Sequence, residues 1–93
     1  MANGRHLRVS DSVVIRDLDG ESVLLNIESG MYFGLDRIGT RVWQLLEEHG
    51  NVDAIVRVLE DEYDADAETL RADTEALIAA LVEKRLIVKS SDA

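Results

Sequence analysis

The apolar positions of this chain fall into two regimes that meet at Asp36. Upstream they form short strand-like runs, and downstream they recur at helical spacing. Val13-Val14-Ile15-Arg16-Asp17-Leu18 is β-branched and reads as a strand. Asp19-Gly20 is a two-residue hairpin signal, and Ser22–Ile27 returns as the next strand. Glu28-Ser29-Gly30 turns the chain again, and Met31–Leu35 follows as a third strand. The pattern predicts a three-stranded antiparallel meander. Before it, residues 1–6 read as a tail, Leu7-Arg8-Val9 as a short added edge strand, and Ser10-Asp11-Ser12 as a turn.

Asp36 is a suitable N-cap for the first helix, in which Ile38, Val42, Leu45 and Leu46 share the helical spacing. Trp43 lies beside them as a core anchor and a natural fluorescence reporter of folding, and Gly50 suits the helix end. Asn51 caps a second helix bearing Val52, Ile55, Val56 and Leu59, running to about Tyr63. After Asp64-Ala65, Asp66 caps a third helix that runs to about Arg85, its apolar positions being Leu70, Leu77, Ile78, Leu81 and Val82. Lys84 and Arg85 complement the negative end of that helix. Leu86-Ile87-Val88 returns as an extended segment, and Lys89–Ala93 frays. Three strands followed by three helices is an α+β arrangement, the layout of a small winged helix-turn-helix-like domain. Residues 1–93 are expected to form a single domain with an ordered core over about residues 7–88.

Composition narrows the function. A hydrophobic content of 46% fits a folded domain. No window approaches the ~18 apolar residues of a membrane span, and no secretory signal is visible at the start, so a cytoplasmic protein with no membrane partner is expected. There are no cysteines, which removes disulfides, thiolate metal sites and thiol catalysis. The net charge is −9 and the pI about 4.5. Winged helices often bind DNA, but phosphate contacts need cationic groups. The third helix carries Glu68, Asp73, Glu75 and Glu83 against Arg71, Lys84 and Arg85, so no nucleic-acid partner is expected. His6 lies in the tail and His49 at a helix end, neither with carboxylates at a ligand spacing. The acids from Glu60 to Glu68 lack the alternating loop of a calcium site. No phosphate-binding glycine loop or nucleophile elbow appears. An acyl carrier role fails on position: Asp11-Ser12-Val13 stands at a strand start, not a mid-chain helix start. No catalytic residue, metal or cofactor is expected.

Three segments resemble one family. Gly30-Met31-Tyr32-Phe33-Gly34-Leu35-Asp36 resembles its third strand and junction with the first helix. Val42-Trp43-Gln44-Leu45-Leu46 followed by Gly50-Asn51-Val52 resembles its apolar run and second-helix start. Asp73-Thr74 followed by Leu77-Ile78 and Leu81 is similar to its third-helix pattern, with Thr74 departing from the usual apolar residue. The family is that of PqqD-like proteins, the leader-peptide recognition elements for ribosomally made, modified peptides, and the resemblance spans roughly Val13–Val88. It implies a non-catalytic protein that binds a precursor's leader as an added strand on the third strand, against the third helix. It further implies delivery to a separate leader peptidase or other modifying enzyme. The Tyr-Phe-Gly-Leu sequence looks most like the stand-alone lasso-peptide branch, whose leaders carry a Tyr-x-x-Pro-x-Leu motif.

That role assigns the residues. An edge strand offers unpaired backbone groups that a peptide can satisfy. Alternation puts Met31, Phe33 and Leu35 on one face, with Phe33 and Leu35 expected in the core, and Tyr32 and Gly34 on the other. Tyr32 can border a groove, and Gly34 leaves room for a close approach. On the third helix Leu70, Leu77 and Leu81 should enter the core. Beside them lie the small residues Thr69, Ala72, Ala76 and Ala80, with Asp73 placed to meet a basic leader residue. The candidate peptide-binding set is Met31, Tyr32, Phe33, Gly34, Leu35, Asp73, Ala76, Leu77 and Ala80. The flank carrying Ile78 and Val82 is the other possible wall. A winged-helix DNA-binding regulator and a structural subunit of a larger enzyme are the alternative readings. The sequence leaves the oligomeric state open, and a free third-strand edge can pair two copies.

Overall fold

Asp19 and Gly20 take positive φ angles of 58° and 91°, the backbone of the tight turn that matches strand twist. They join β2 (Val13–Leu18) to β3 (Glu21–Asn26) with Leu18 opposite Glu21. A longer turn then leads to β4 (Tyr32–Leu35). In that turn the Asn26 Oδ1 accepts from the Glu28 and Ser29 N–H groups at 2.9 and 3.1 Å, and Gly30 has φ 77°. The computed structural model describes residues 5–91, with side chains over residues 7–89. The sheet order is β2-β3-β4, all antiparallel, and three helices follow.

Each helix begins at a side-chain cap. Asp36 accepts from the Gly39 N–H (2.8 Å) to start α1 (Arg37–His49), and Asn51 from Ala54 (3.1 Å) to start α2 (Val52–Glu62). Asp66 accepts from Thr69 (3.3 Å) to start α3 (Ala67–Glu83). Gly50 closes α1 in the left-handed conformation at φ 65°. Among the described residues no helix is long and apolar enough to cross a membrane.

The core lies between the inner sheet face and the helices. Leu24 and Leu35 point inward to meet Val42, Trp43, Leu46, Ile55, Leu59 and Leu81, all essentially buried. Strand β3 alternates buried Ser22, Leu24 and Asn26 with exposed neighbours. Two buried polar groups of β3 are satisfied across layers. Ser22 Oγ lies 2.7 Å from Thr40 Oγ1 on α1, and Asn26 Nδ2 donates to the Arg85 carbonyl at 2.8 Å. The Trp43 indole N–H has no partner among the described residues.

Three expectations change. The segment around Leu7 does not join the sheet: β1 (Arg5–Val9) pairs with β5 (Ile87–Ser91) as a separate antiparallel ribbon. Burial decides this, because Leu7, Leu86 and Ile87 all pack into the helical core, while Ser10 N–H bonds the Leu86 carbonyl and turns the chain away. Ile38, at helical spacing with the core residues, is 47% exposed because it sits in the first turn of α1, outside the layer contact. On α3 the buried row is Leu70, Thr74, Ile78 and Leu81, and Leu77 is only half-buried. Thr74 occupies the central position of that row, which rotates Leu77 to its edge.

Candidate functional site

Strand β4 is a free edge of the sheet, and α3 runs antiparallel to it across a groove. The phase of the β3–β4 ladder fixes which backbone groups of β4 remain available. Asn26 N–H bonds the Met31 carbonyl at 2.8 Å. Hydrogen-bonded pairs in an antiparallel ladder recur at every second residue, so Phe33 and Leu35 use their groups toward β3. The other partner of β3 agrees: Ile27 N–H bonds the Ser12 carbonyl at 2.9 Å, which commits Leu25 and Val23 to β2. Tyr32 and Gly34 therefore direct their N–H and C=O groups away from the sheet, toward whatever lies beside β4.

The groove beside them holds about 600 Å³. Phe33, Gly34 and Leu35 form one side, and Thr69, Leu70, Asp73, Thr74 and Leu77 of α3 form the other. Val42 and Leu59 lie at its base, and Asp36, Ile38, Gly39 and Ala65 lie at the end nearest the start of α3. The lining is mainly apolar, with the carboxylates of Asp36 and Asp73 as its acidic groups. Asp64 and Asp66 flank Ala65 at the same end and extend this negative field. At the opposite end the Asn26–Arg85 hydrogen bond ties the sheet to the end of α3.

Of the residues expected from sequence, Phe33, Gly34, Leu35, Asp73 and Leu77 come together in this groove. Met31 and Tyr32 are 40% and 71% exposed and lie outside its lining, at the Asn26 end of β4. Ala76 is exposed and Ala80 half-buried, and neither lines it. The flank of α3 facing β4 carries Thr69, Asp73 and Leu77. Ile78 instead enters the core and a smaller cavity of about 330 Å³ on the other side, formed with Leu7 and Asn51–Asp53. Gly34 points to the outer sheet face. Nothing lies within 4 Å of where its Cβ would be, so its open space is on that face and not along the strand edge.

Sequence reasoning missed the floor and the end nearest the start of α3. Gly39 was the available signal, since glycine inside a helix costs about 1 kcal/mol and marks close approach. A Cβ there would stand 3.1 Å from Leu35 and 3.2 Å from the Asp36 capping oxygen. Ion pairs brace the helices behind the groove. Arg41 of α1 contacts Glu62 at the end of α2 at 2.6 Å, and Arg71 of α3 contacts Asp53 of α2 at 2.7 Å. The hydrogen bond from Arg41 holds the Glu62 carboxyl below its ordinary range. Among the described residues no cluster of His, Cys, Asp or Glu forms a metal-sized site.

A free strand edge facing a helix across an apolar groove is the geometry in which an extended peptide can be added to a sheet. The chain belongs to the PqqD family: the profile described as Coenzyme PQQ synthesis protein D (PqqD) matches residues 21–87. Its fold is similar to that of TbiB1 in complex with the TbiA(beta) leader peptide, at 41% identity and TM-score 0.80, covering 86% of this chain and 93% of that one. A lasso peptide synthetase B1 complexed with the leader peptide shares the fold at 23% identity and TM-score 0.80, covering 89% of this chain and 98% of that one. No curated protein matches the chain.

Proposed function

We propose that this protein is a recognition element that binds the leader segment of a ribosomally made precursor, of the lasso-peptide kind, and delivers it to a leader peptidase or other modifying enzyme. The leader adds as a strand to β4 and lays side chains into the groove against α3. The protein catalyses no step itself and acts in the cytoplasm as a single domain. One observation carries the reading: the free backbone groups of Tyr32 and Gly34 stand directly beside the apolar groove. The 41% identity to a protein solved with its leader peptide supports it.

The groove also suggests what it selects. Apolar leader residues suit the wall of Phe33, Leu35 and Leu77, and a lysine or arginine suits the Asp36–Asp73 end. Met31, Tyr32, Ala76 and Ala80 are proposed to meet the part of the leader that runs toward the Asn26 end. The exposed acids of α3 weigh against a DNA-binding role, because they repel phosphate.

The test is fluorescence anisotropy of a labelled peptide carrying Tyr-x-x-Pro-x-Leu, with a scrambled peptide as control. Saturable binding of the motif peptide alone is expected, with a Kd in the micromolar range or below. Equal binding of both peptides, or of neither, would refute recognition of that motif.

A further inference from the structure

Among the described residues four polar side chains are buried: Ser22, Asn26, Thr40 and Thr74. Three of them are satisfied inside the fold. Ser22 and Thr40 pair with each other at 2.7 Å, and Asn26 bonds the Arg85 carbonyl and the Glu28 and Ser29 N–H groups. The Thr74 hydroxyl has no hydrogen-bond partner among the described residues, although the residue is only 2% exposed. Thr74 stands in the buried row of α3 between Leu70 and Ile78, where valine would give the same shape with no polar atom. Leaving a buried hydroxyl unpaired is costly, and such a group calls for a partner from outside the fold.

That hydroxyl is open to the groove. Among the described residues the one side-chain polar atom that is both sealed from solvent and unpartnered is Trp43 Nε1. The unpartnered Thr74 Oγ1 is therefore not sealed, and the small exposed area of the residue includes it. The surface Thr74 lines is the groove, beside Val42, Leu59, Leu70 and Leu77. The other polar groups of that lining differ from it. Asp36 accepts from the Gly39 N–H, Thr69 Oγ1 donates to Asp66, and Asp73 is exposed to solvent. Thr74 thus sets one unmet hydrogen-bonding group into an apolar wall. On a strand added to β4, alternate side chains fall on the face of Phe33 and Leu35 and enter the groove toward that wall.

The surroundings select the chemistry of the partner. A leader carboxylate would be repelled by Asp36 and Asp73. A lysine or arginine would bury its charge among apolar groups with a single neutral hydroxyl, and the two carboxylates offer it a better site. A carboxamide brings more donors and acceptors than one hydroxyl can meet. A second hydroxyl matches the first, one donating and the other accepting, as Ser22 and Thr40 already do in this fold. We propose that Thr74 is a specificity-determining residue of the groove, its hydroxyl pairing with an inward-facing leader side chain that ends in a hydroxyl, that of tyrosine, serine or threonine. The proposal rests on leader binding as read above, and one experiment separates the two.

The probe is the labelled peptide carrying Tyr-x-x-Pro-x-Leu with alanine at each x, so that tyrosine holds its one side-chain hydroxyl. Phenylalanine replaces that tyrosine, and serine or threonine replaces each alanine in turn. Anisotropy gives Kd for every peptide with wild type, Thr74→Val and Thr74→Ser. With wild type, one of these hydroxyls is expected to tighten binding about fivefold over the peptide lacking it, the worth of one hydrogen bond. Thr74→Val should erase that preference, and Thr74→Ser, which keeps a hydroxyl, should retain it. Urea unfolding reads the scaffold separately. Thr74→Val should unfold at no lower urea concentration than wild type, because the group it removes has no partner within the fold. A preference of the same size in Thr74→Val, or none above about twofold with wild type at any position, overturns the pairing alone. So does a destabilised Thr74→Val, which would place the hydroxyl's partner inside the fold. Failure of wild type to bind the peptide, or to prefer it over a scrambled one, overturns the leader reading and the pairing with it.

Discussion

Methylating single backbone nitrogens of a bound leader tests strand addition at the level of individual hydrogen bonds. Tyr32 and Gly34 are the β4 residues whose carbonyls point away from β3, so under strand addition they would accept from two leader N–H groups. Those groups belong to leader residues two apart, because Tyr32 and Gly34 are two apart. Each lost bond is worth about 1 kcal/mol net, or about fivefold in Kd. Methylation at the two contact positions should therefore weaken binding about fivefold each, and about 25-fold together if the bonds are independent. The residue between them turns its N–H away from β4, and its methylation should change affinity less than about twofold. Competition anisotropy against a labelled leader reads all of these. A flat profile across the peptide, or sensitivity at every third or fourth residue, would refute addition to the β4 edge.

Two further outcomes concern the scaffold. Arg85 sits in the left-handed region at φ 62° just beyond α3, where glycine is the unstrained residue. Arg85→Gly should stabilise the fold by about 1 kcal/mol in urea unfolding while its carbonyl keeps the Asn26 bond, and leader affinity should be unchanged. The Arg41 hydrogen bond lowers the Glu62 pKa in the folded protein, so that carboxylate stabilises the fold above its unfolded value, about 4.3, and the contribution is lost as pH falls through the folded value. Glu62→Gln should thus lower the thermal midpoint at pH 7 and converge with wild type in acid; a constant difference across that range would contradict the pairing.

The sequence made local features legible and left tertiary ones hidden. Asp36, Asn51 and Asp66 stand directly before apolar helical runs, and each caps its helix. Asp19-Gly20 forms the hairpin its composition demands. The pairing of β1 with β5 was not legible, because it joins the two ends of the chain through core burial that no local pattern encodes. Ile38 and Thr74 show the same limit. The exposed isoleucine and buried threonine invert their usual preferences, and only the meeting of α1, α3 and the sheet decides which position faces the core. Half of the site followed from the Met31–Leu35 strand. The end formed by Asp36, Ile38, Gly39 and Ala65 did not, since it depends on where the α2–α3 connection meets the start of α1.

Among the described residues the Asn26–Arg85 hydrogen bond is the one that joins the two walls of the groove. They are fastened where β4 begins and α3 ends, and among the described residues no hydrogen bond fastens them at the other end. Helix α3 has 17 residues, a lever of about 25 Å at 1.5 Å per residue. A tilt of about 2° around that hydrogen bond would move its far end by about 1 Å on that length. Tolerance for side-chain bulk should therefore be graded along the leader: strict beside Tyr32, and widening toward Asp36.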